Sequence, residues 1–297
     1  MQRTTRPRLS ALPAKLAGRI RRIALLVLSL APAALAADPP DIGLLPRAHA
    51  HNDYEHPRPL LDALEQGFGS VEADIHLVDG QLLVAHDRRQ TRPDRTLESL
   101  YLAPLRERIL AHGGRVHPDA PEFFLLIDFK SDAETTWPVL RELLRRYEGI
   151  CTRFGPGDRI QTNALTIILS GNSPRALLAK ERVRLAAIDG RPPDLEANPP
   201  VSLVPWISES WGRLFRWRAN GPFPPDEAER LRRFVEQAHA QGRRVRFWGV
   251  PDHPIAWQVL WDAGVDWINT DRLADLHRFI RERQHGQANA APSPRAH

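Results

Sequence analysis

The chain has a single cysteine, Cys151, in 297 residues. No intramolecular disulfide can form and no thiolate metal site can assemble, so neither a disulfide scaffold nor a cysteine-built metal site holds the fold. A lone thiol of this kind reads as a buried apolar residue. No cysteine closely follows the N-terminal apolar run, so nothing suggests a lipid-anchored mature terminus. No Gly-rich phosphate loop, of the G-x-G-x-x-G or P-loop kind, follows the first strand, which argues against a nucleotide-binding sheet. Internal repeats and a domain linker are also missing. The apolar run near the N-terminus, Ile23–Leu30, is far short of the roughly 20 residues of a membrane span.

An excess of basic charge is missing outside the first segment. The sequence pI of about 9.9 suggests nucleic acid, but Arg3, Arg6, Arg8, Lys15, Arg19, Arg21 and Arg22 all precede residue 37, with no acid among them. Without them the formal net charge falls from +5 to −2. The folded part is therefore not basic, and nucleic-acid binding is not expected. Arg19, Arg21 and Arg22, the apolar run, and Ala34-Leu35-Ala36 together read as a secretory signal peptide over residues 1–36. The expectation is a periplasmic or secreted protein. An uncleaved anchor is the competing reading, and the residues around the Arg-Arg pair do not support a twin-arginine signal.

Apolar residues make up 42%, enough for a sizeable core. Strands are predicted at Pro46–His51, Ser70–Leu77, Glu122–Phe129, Ala164–Ser170, Arg184–Ile188, Val201–Ile207, Val245–Val250 and Val265–Thr270. Asp79-Gly80 predicts a hairpin whose return is Gln81–His86. Helices are predicted over Pro59–Gln66, Leu97–Ala111 with Thr96 as N-cap, a segment from Ser131 as cap to Tyr147, Pro174–Lys180, Asp226–Gln241, Pro254–Ala263 and from Arg272 onward. Apolar strands alternating with helices imply a parallel sheet under helices. About eight such units predict one α/β domain, a TIM-type (β/α)8 barrel, over residues 38–283. Residues 284–297, rich in Gln, Ala, Pro and Ser, read as a disordered tail.

In such a barrel the active site lies at the C-terminal ends of the strands. Polar residues fall there repeatedly: His49 and His51, Glu72 and Asp74, His86, Asp128 and Lys130, Trp248, then Asn269, Thr270 and Asp271. Glu72, Asp74 and Asp128 form a set of hard oxygen ligands, which would repel one another unless a divalent metal, Mg²⁺ or Ca²⁺, neutralised them. Taken alone, Glu72-x-Asp74 could equally be surface acids paired with arginines. His49 and His86 are the candidate acid–base pair, because imidazole titrates near neutrality. His51 reads as a supporting or capping residue, His76 as structural, and His56 and His253 as loop histidines. Lys130 could contact substrate or position Asp128. Asn52 could bind a phosphate oxygen, and Asp53 could cap the next turn. Trp248 is either a barrel-closing core residue or a wall against the leaving group. Asp189 and Arg191 could reach a headgroup or simply make a turn.

The order of these motifs resembles the phosphatidylinositol-phospholipase-C-like phosphodiesterase superfamily, and more closely its glycerophosphodiester phosphodiesterase branch. The likeness runs through His49, VEADI, VAHD, LLIDFK, FWGVPD and GVDWINTD, over most of residues 46–280. HAHNDYEHPRPLLDAL with RTLESLYLAPL is most similar to bacterial relatives of altered inheritance of mitochondria protein six. The resemblance implies a (β/α) barrel, catalysis by His49 and His86, and a divalent metal on Glu72, Asp74 and Asp128. Two departures matter. His49-Ala50-His51 replaces His-Arg-Gly, and Arg58-Pro59-Leu60 stands where that branch has a metal-binding Glu-Asn-Thr. HAHN is instead similar to the sphingomyelinase-D-like branch, where three acids suffice. The expected function is an exported, metal-dependent hydrolase of a small or lipid-derived phosphodiester, with at most transient membrane-surface contact and no protein partner. The competing readings are a sphingomyelinase-D-like lyase giving a cyclic phosphate, a metal-free phospholipase C, and a non-catalytic phosphodiester-binding barrel.

Overall fold

The computed structural model describes residues 43–290, with side chains to His285. The leader read over residues 1–36 and the last seven residues of the tail lie outside the described residues. Eight parallel strands close a barrel: β1 (Leu45–Ala50), β2 (Phe68–Val78), β3 (Phe123–Phe129), β4 (Leu165–Gly171), β5 (Ala186–Gly190), β6 (Trp206–Ser210), β7 (Arg244–Trp248) and β8 (Trp267–Thr270). Each pairs with the next, and β8 pairs with β1 to close the ring. A short antiparallel strand, Gln81–Val84, folds back on the end of β2 across the Asp79-Gly80 turn.

Alternation along the strands sorts the core into two parts. Outward residues such as Ala48, Ala50, Val71, Ala73, Leu125, Ile127, Ile167 and Leu169 meet the helices. Inward residues stack in layers. The lower layers are apolar and aromatic: Phe124, Leu126, Ile168, Ala187, Trp206 and Trp267, joined by Phe154. Phe124, Trp206 and Trp267 pack with ring centroids 5.1–5.5 Å apart. The layers above are polar: Ser70, Glu72, Ser170, Asp189, Ser208 and Arg246. The inward face thus changes from oil to charge as each strand nears its C-terminal end.

The helices are α1 (Leu61–Glu65), α2 (Ala103–Ala111), α3 (Ala133–Arg145), α4 (Arg175–Leu178), α5 (Pro193–Ala197), α6 (Trp211–Leu214), α7 (Pro225–Ala240), α8 (Pro254–Asp262) and α9 (Leu273–Ala290). α3 shows why such segments are helical: Trp137, Leu140 and Leu144 recur at helical spacing and are buried, while Asp132 accepts the Thr135 N–H at 3.0 Å as an N-cap should. Among the described residues no helix is long and apolar enough to cross a membrane.

Four local expectations are corrected. Asp132, not Ser131, caps α3; the Ser131 hydroxyl instead accepts the Leu77 N–H at 2.9 Å. The helix expected over Leu97–Ala111 opens with a π-helical turn, Glu98–Leu102, because Pro104 has no N–H to give there. The sixth strand begins at Trp206, not Val201. Pro199, Pro200 and Pro205 surround that segment, and Leu203 and Val204 donate to Pro200 O in a turn. α9 continues to Ala290, into the segment read as a tail, since Gln and Ala are compatible with helix up to Pro292. Cys151 is buried as expected, and burial pushes its thiol up to about 12.

Candidate active site

The C-terminal ends of the strands surround a cavity of about 500 Å³ lined by residues including His51, Asn52, Glu72, His86, Asp128, Lys130, Arg191, Arg246 and Trp248. Register sets the acids. Asp74 on β2 is the ladder partner of Asp128 on β3, two residues above the Glu72–Leu126 pair. Ligand oxygens of Glu72, Asp74 and Asp128 all lie within 4.8 Å of one another. Gly171 at the end of β4 makes the space: a Cβ there would collide with Asp128 Oδ1 and sit 2.6 Å from Phe129 O.

Charges around the acids are uneven. Glu72 and Asp74 are 5% and 1% exposed. Burial alone would raise Glu72, but Arg246 Nη1 at 3.0 Å and His49 Nε2 at 3.3 Å outweigh it and hold the carboxyl well below its usual range. Asp74 goes the other way. Burial and then the charge of Glu72 push it up to about 6, and Lys130 offsets only part. Lys130 Nζ lies 3.0 Å from both Asp74 Oδ2 and Asp128 Oδ1. Asp74 Oδ1 is buried with no hydrogen-bond partner. Three crowded carboxylates, one buried oxygen without a partner and an all-oxygen donor set fit a hard divalent cation.

The two histidines at the end of β1, His49 within the strand and His51 just after it, have separate surroundings. His49 is fully buried beneath the mouth. Its Nδ1 is 2.7 Å from Ser70 Oγ and its Nε2 is engaged by Glu72 and Arg246. Burial lowers it to about 4, so it stays neutral. The His49 ring does not line the cavity, and both of its nitrogens have partners inside the barrel. His51 follows the strand, lines the cavity, and has Nδ1 2.8 Å from Asp271 Oδ1. Burial pulls its pKa down, but the Asp271 hydrogen bond and the charge of Glu72 win, leaving it above the ordinary value.

His86 lines the cavity as expected, 3.4 Å from Asp74 Oδ2. Tyr54, which sequence reasoning passed over, ties this side together. Its hydroxyl donates to Asp74 Oδ2 at 2.7 Å and lies 2.8 Å from Asn52 Oδ1 and 3.3 Å from His86 Nδ1. Asn52 holds a left-handed turn at φ 47°, a conformation Asn tolerates. Asp53 caps the chain beyond it, accepting from Leu60 N at 2.6 Å and Tyr101 OH at 2.9 Å. His76 is structural, 3.3 Å from the His86 carbonyl. His253 caps α8. Arg58 turns onto α1 and pairs with Asp62 and Glu65, supplying nothing to the acids.

Arg246 is the largest omission of the sequence reading. It is 3% exposed, inside the barrel, and bridges Glu72 to Asp189, whose Oδ2 lies 3.5 Å from Nη2. The available clue was Arg244-x-Arg246-x-Trp248, an alternation that puts charge on the face a barrel turns inward. Asp271 as the partner of His51 left no clue, because the two are 220 residues apart.

The AIM6-like phosphodiesterase domain matches residues 42–188, and the glycerophosphoryl diester phosphodiesterase family matches residues 244–274. Altered inheritance of mitochondria protein 6 from Eremothecium gossypii is 31% identical over 278 residues, covering 80% of this chain and 70% of that protein. The Saccharomyces cerevisiae protein of the same name is 30% identical over 277 residues, covering 78% and 70%. These relatives are fungal, where the wording of the HAHN stretch had pointed to bacterial ones. A glycerophosphodiester phosphodiesterase from Parabacteroides distasonis shares the fold, with a TM-score of 0.50 at 16% identity, covering 82% of this chain and 99% of that one. With the eight-stranded barrel and the acid cluster at its mouth in place, the chain belongs to the AIM6-like phosphodiesterase family.

Proposed function

We propose that this chain is an exported, metal-dependent hydrolase of a small or lipid-derived phosphodiester. The observation that carries the reading is one cavity that brings the Glu72, Asp74 and Asp128 cluster together with two histidines, His51 and His86. A divalent cation, Mg²⁺ or Ca²⁺, on the three acids would neutralise phosphate charge and stabilise charge developing on its oxygens.

The remaining chemistry belongs to the side chains. Asp271 takes the His51 Nδ1–H, which fixes the tautomer and leaves Nε2 to exchange protons. The raised proton affinity of His51 suits donation to a leaving oxygen. His86, on the Asp74 side, takes the proton from the attacking water. Tyr54 stays a donor, because burial and Asp74 hold its hydroxyl protonated, and it keeps Asp74 and Asn52 in place. Lys130 draws the phosphate toward the acids. His49 and Arg246 keep Glu72 ionised and oriented in a dry interior. Export rests on the leader sequence alone, and any contact with a membrane surface is transient.

The test is hydrolysis of bis(p-nitrophenyl) phosphate by the purified chain in Mg²⁺, in Ca²⁺ and in EDTA. Activity is expected only with metal, with a loss of about 100-fold or more in Asp74→Asn. Turnover indifferent to the chelator would favour the metal-free reading, and tight binding without turnover the non-catalytic one. Phosphorus NMR of the product separates hydrolysis from a cyclic phosphate. The cyclic outcome stays in play because Arg58, committed to α1, leaves a three-acid set.

A further inference from the structure

Trp248 presents an aromatic wall to the cavity. An open indole face is a seat for a quaternary ammonium group, which binds by cation–π attraction. Here cations of the protein already occupy that seat. The Arg191 guanidinium carbon lies 4.9 Å from the Trp248 ring centroid, and that of Arg246 lies 5.9 Å away.

Arg191 is fixed in this position. Its Nη1 donates to Asp189 O at 3.0 Å, Gly190 O at 2.9 Å and Asp189 Oδ2 at 3.1 Å. Its Nη2 lies 3.3 Å from Ser170 Oγ. Three of these acceptors belong to the end of β5, so the anchor is the barrel itself. Among the described residues the Arg191 guanidinium pairs with one carboxylate, Asp189, and that carboxylate is shared. Ser208 donates to its Oδ1, and Arg246 approaches the same Oδ2 that Arg191 uses. One carboxylate thus faces two guanidinium groups. The Arg191 side chain is 35% exposed, on the cavity side of this pair.

We propose that Arg191, stacked on Trp248, forms a leaving-group subsite that accepts hydroxylated or anionic groups and rejects quaternary ammonium groups. The inference rests on the reading of the mouth as a phosphodiester site and narrows its substrate class: choline diesters are poor ligands and polyol diesters are good ones. An ammonium brought to Trp248 meets a fixed like charge, a juxtaposition interfaces use to exclude partners. A hydroxyl or anion meets charge-assisted donors instead.

Calorimetric binding of glycerol 3-phosphate and of phosphocholine to the full chain in Mg²⁺ buffer tests this without requiring turnover. Glycerol 3-phosphate is expected to bind about tenfold tighter or better, the size of one charge-assisted hydrogen bond. Arg191→Gln should bring the ratio near one, and Arg191→Met, which keeps the aliphatic stem against Trp248, should do the same. Where the wild type turns over diesters, the ratio of kcat/KM for glycerophosphoglycerol to that for glycerophosphocholine should fall in step. Equal binding by the wild type, tighter binding of phosphocholine, a ratio unmoved in both variants, or binding of neither ligand overturns the inference. Ordered binding with no hydrolysis of any diester overturns the hydrolase reading alone.

Discussion

Individual residues separate two jobs that neighbouring histidines would otherwise share. His51→Asn should lower kcat by about 100-fold or more and shift the melting temperature little, because the ring is partly exposed and packs at the mouth. His49→Ala should instead lower stability by about 2–4 kcal/mol, leaving a cavity and an orphaned Ser70 hydroxyl, with Glu72 held by Arg246 alone. Kinetics and thermal melts of the two variants check this, and the opposite pattern would return the acid–base role to His49. Asp53 gives a pH signature. Burial raises it to about 7, while in the unfolded chain it titrates near 4. The folded state therefore holds a proton the unfolded state has lost, and stability falls as pH rises between those values. Asp53→Asn, which still offers an oxygen to Leu60 and Tyr101, should flatten that part of the profile in urea melts taken from pH 4 to pH 8.

Elements position these residues through their ends. β1 carries an irregularity at Arg47, where φ is 62° and the register with β2 shifts. Leu45, Ala48 and Ala50 can then all face the helices while His49 faces inward, which strict alternation would forbid. β4 ends in Gly171, at φ 64° and hard against Asp128. Gly171→Ala should displace that carboxylate, weaken Mn²⁺ or Mg²⁺ binding by about tenfold or more, and cost about 1–3 kcal/mol from the strained φ. Metal titration followed by calorimetry reads the first effect, and unchanged affinity would remove Asp128 from the ligand set. The helices answer to simpler rules. Asp132→Ala should cost about 1 kcal/mol through the lost α3 cap, whereas Ser131→Ala touches only the bond from Leu77. Strand and helix identities were legible because apolar runs and caps are local. The displaced sixth strand was not, because prolines cancelled a run whose composition alone looked extended.

For the whole molecule a cation held by the acid cluster would couple metal binding to folding. Asp74 and Glu72 sit within a barrel already tight with charge, so a cation that binds only the folded state should stabilise it. At a free metal concentration of 100 times Kd the gain is about 2.7 kcal/mol. Differential scanning fluorimetry with Mg²⁺ and then EDTA should show a reversible rise and fall in Tm, and Asp74→Asn should abolish it. A Tm indifferent to Mg²⁺ and Ca²⁺ would sink the metal reading. By itself the sequence determined the barrel, since alternating apolar strands and amphipathic helices admit few other closed solutions. It also determined the three acids, since two of them lie on one strand face and the third ends the next strand. Only the tertiary structure decided which histidine meets the cavity, that Arg246 lies among the acids, and that Arg191 covers Trp248. Those choices depend on contacts between residues up to 220 positions apart. Side-chain burial there is set by closure of the ring, which no local pattern records.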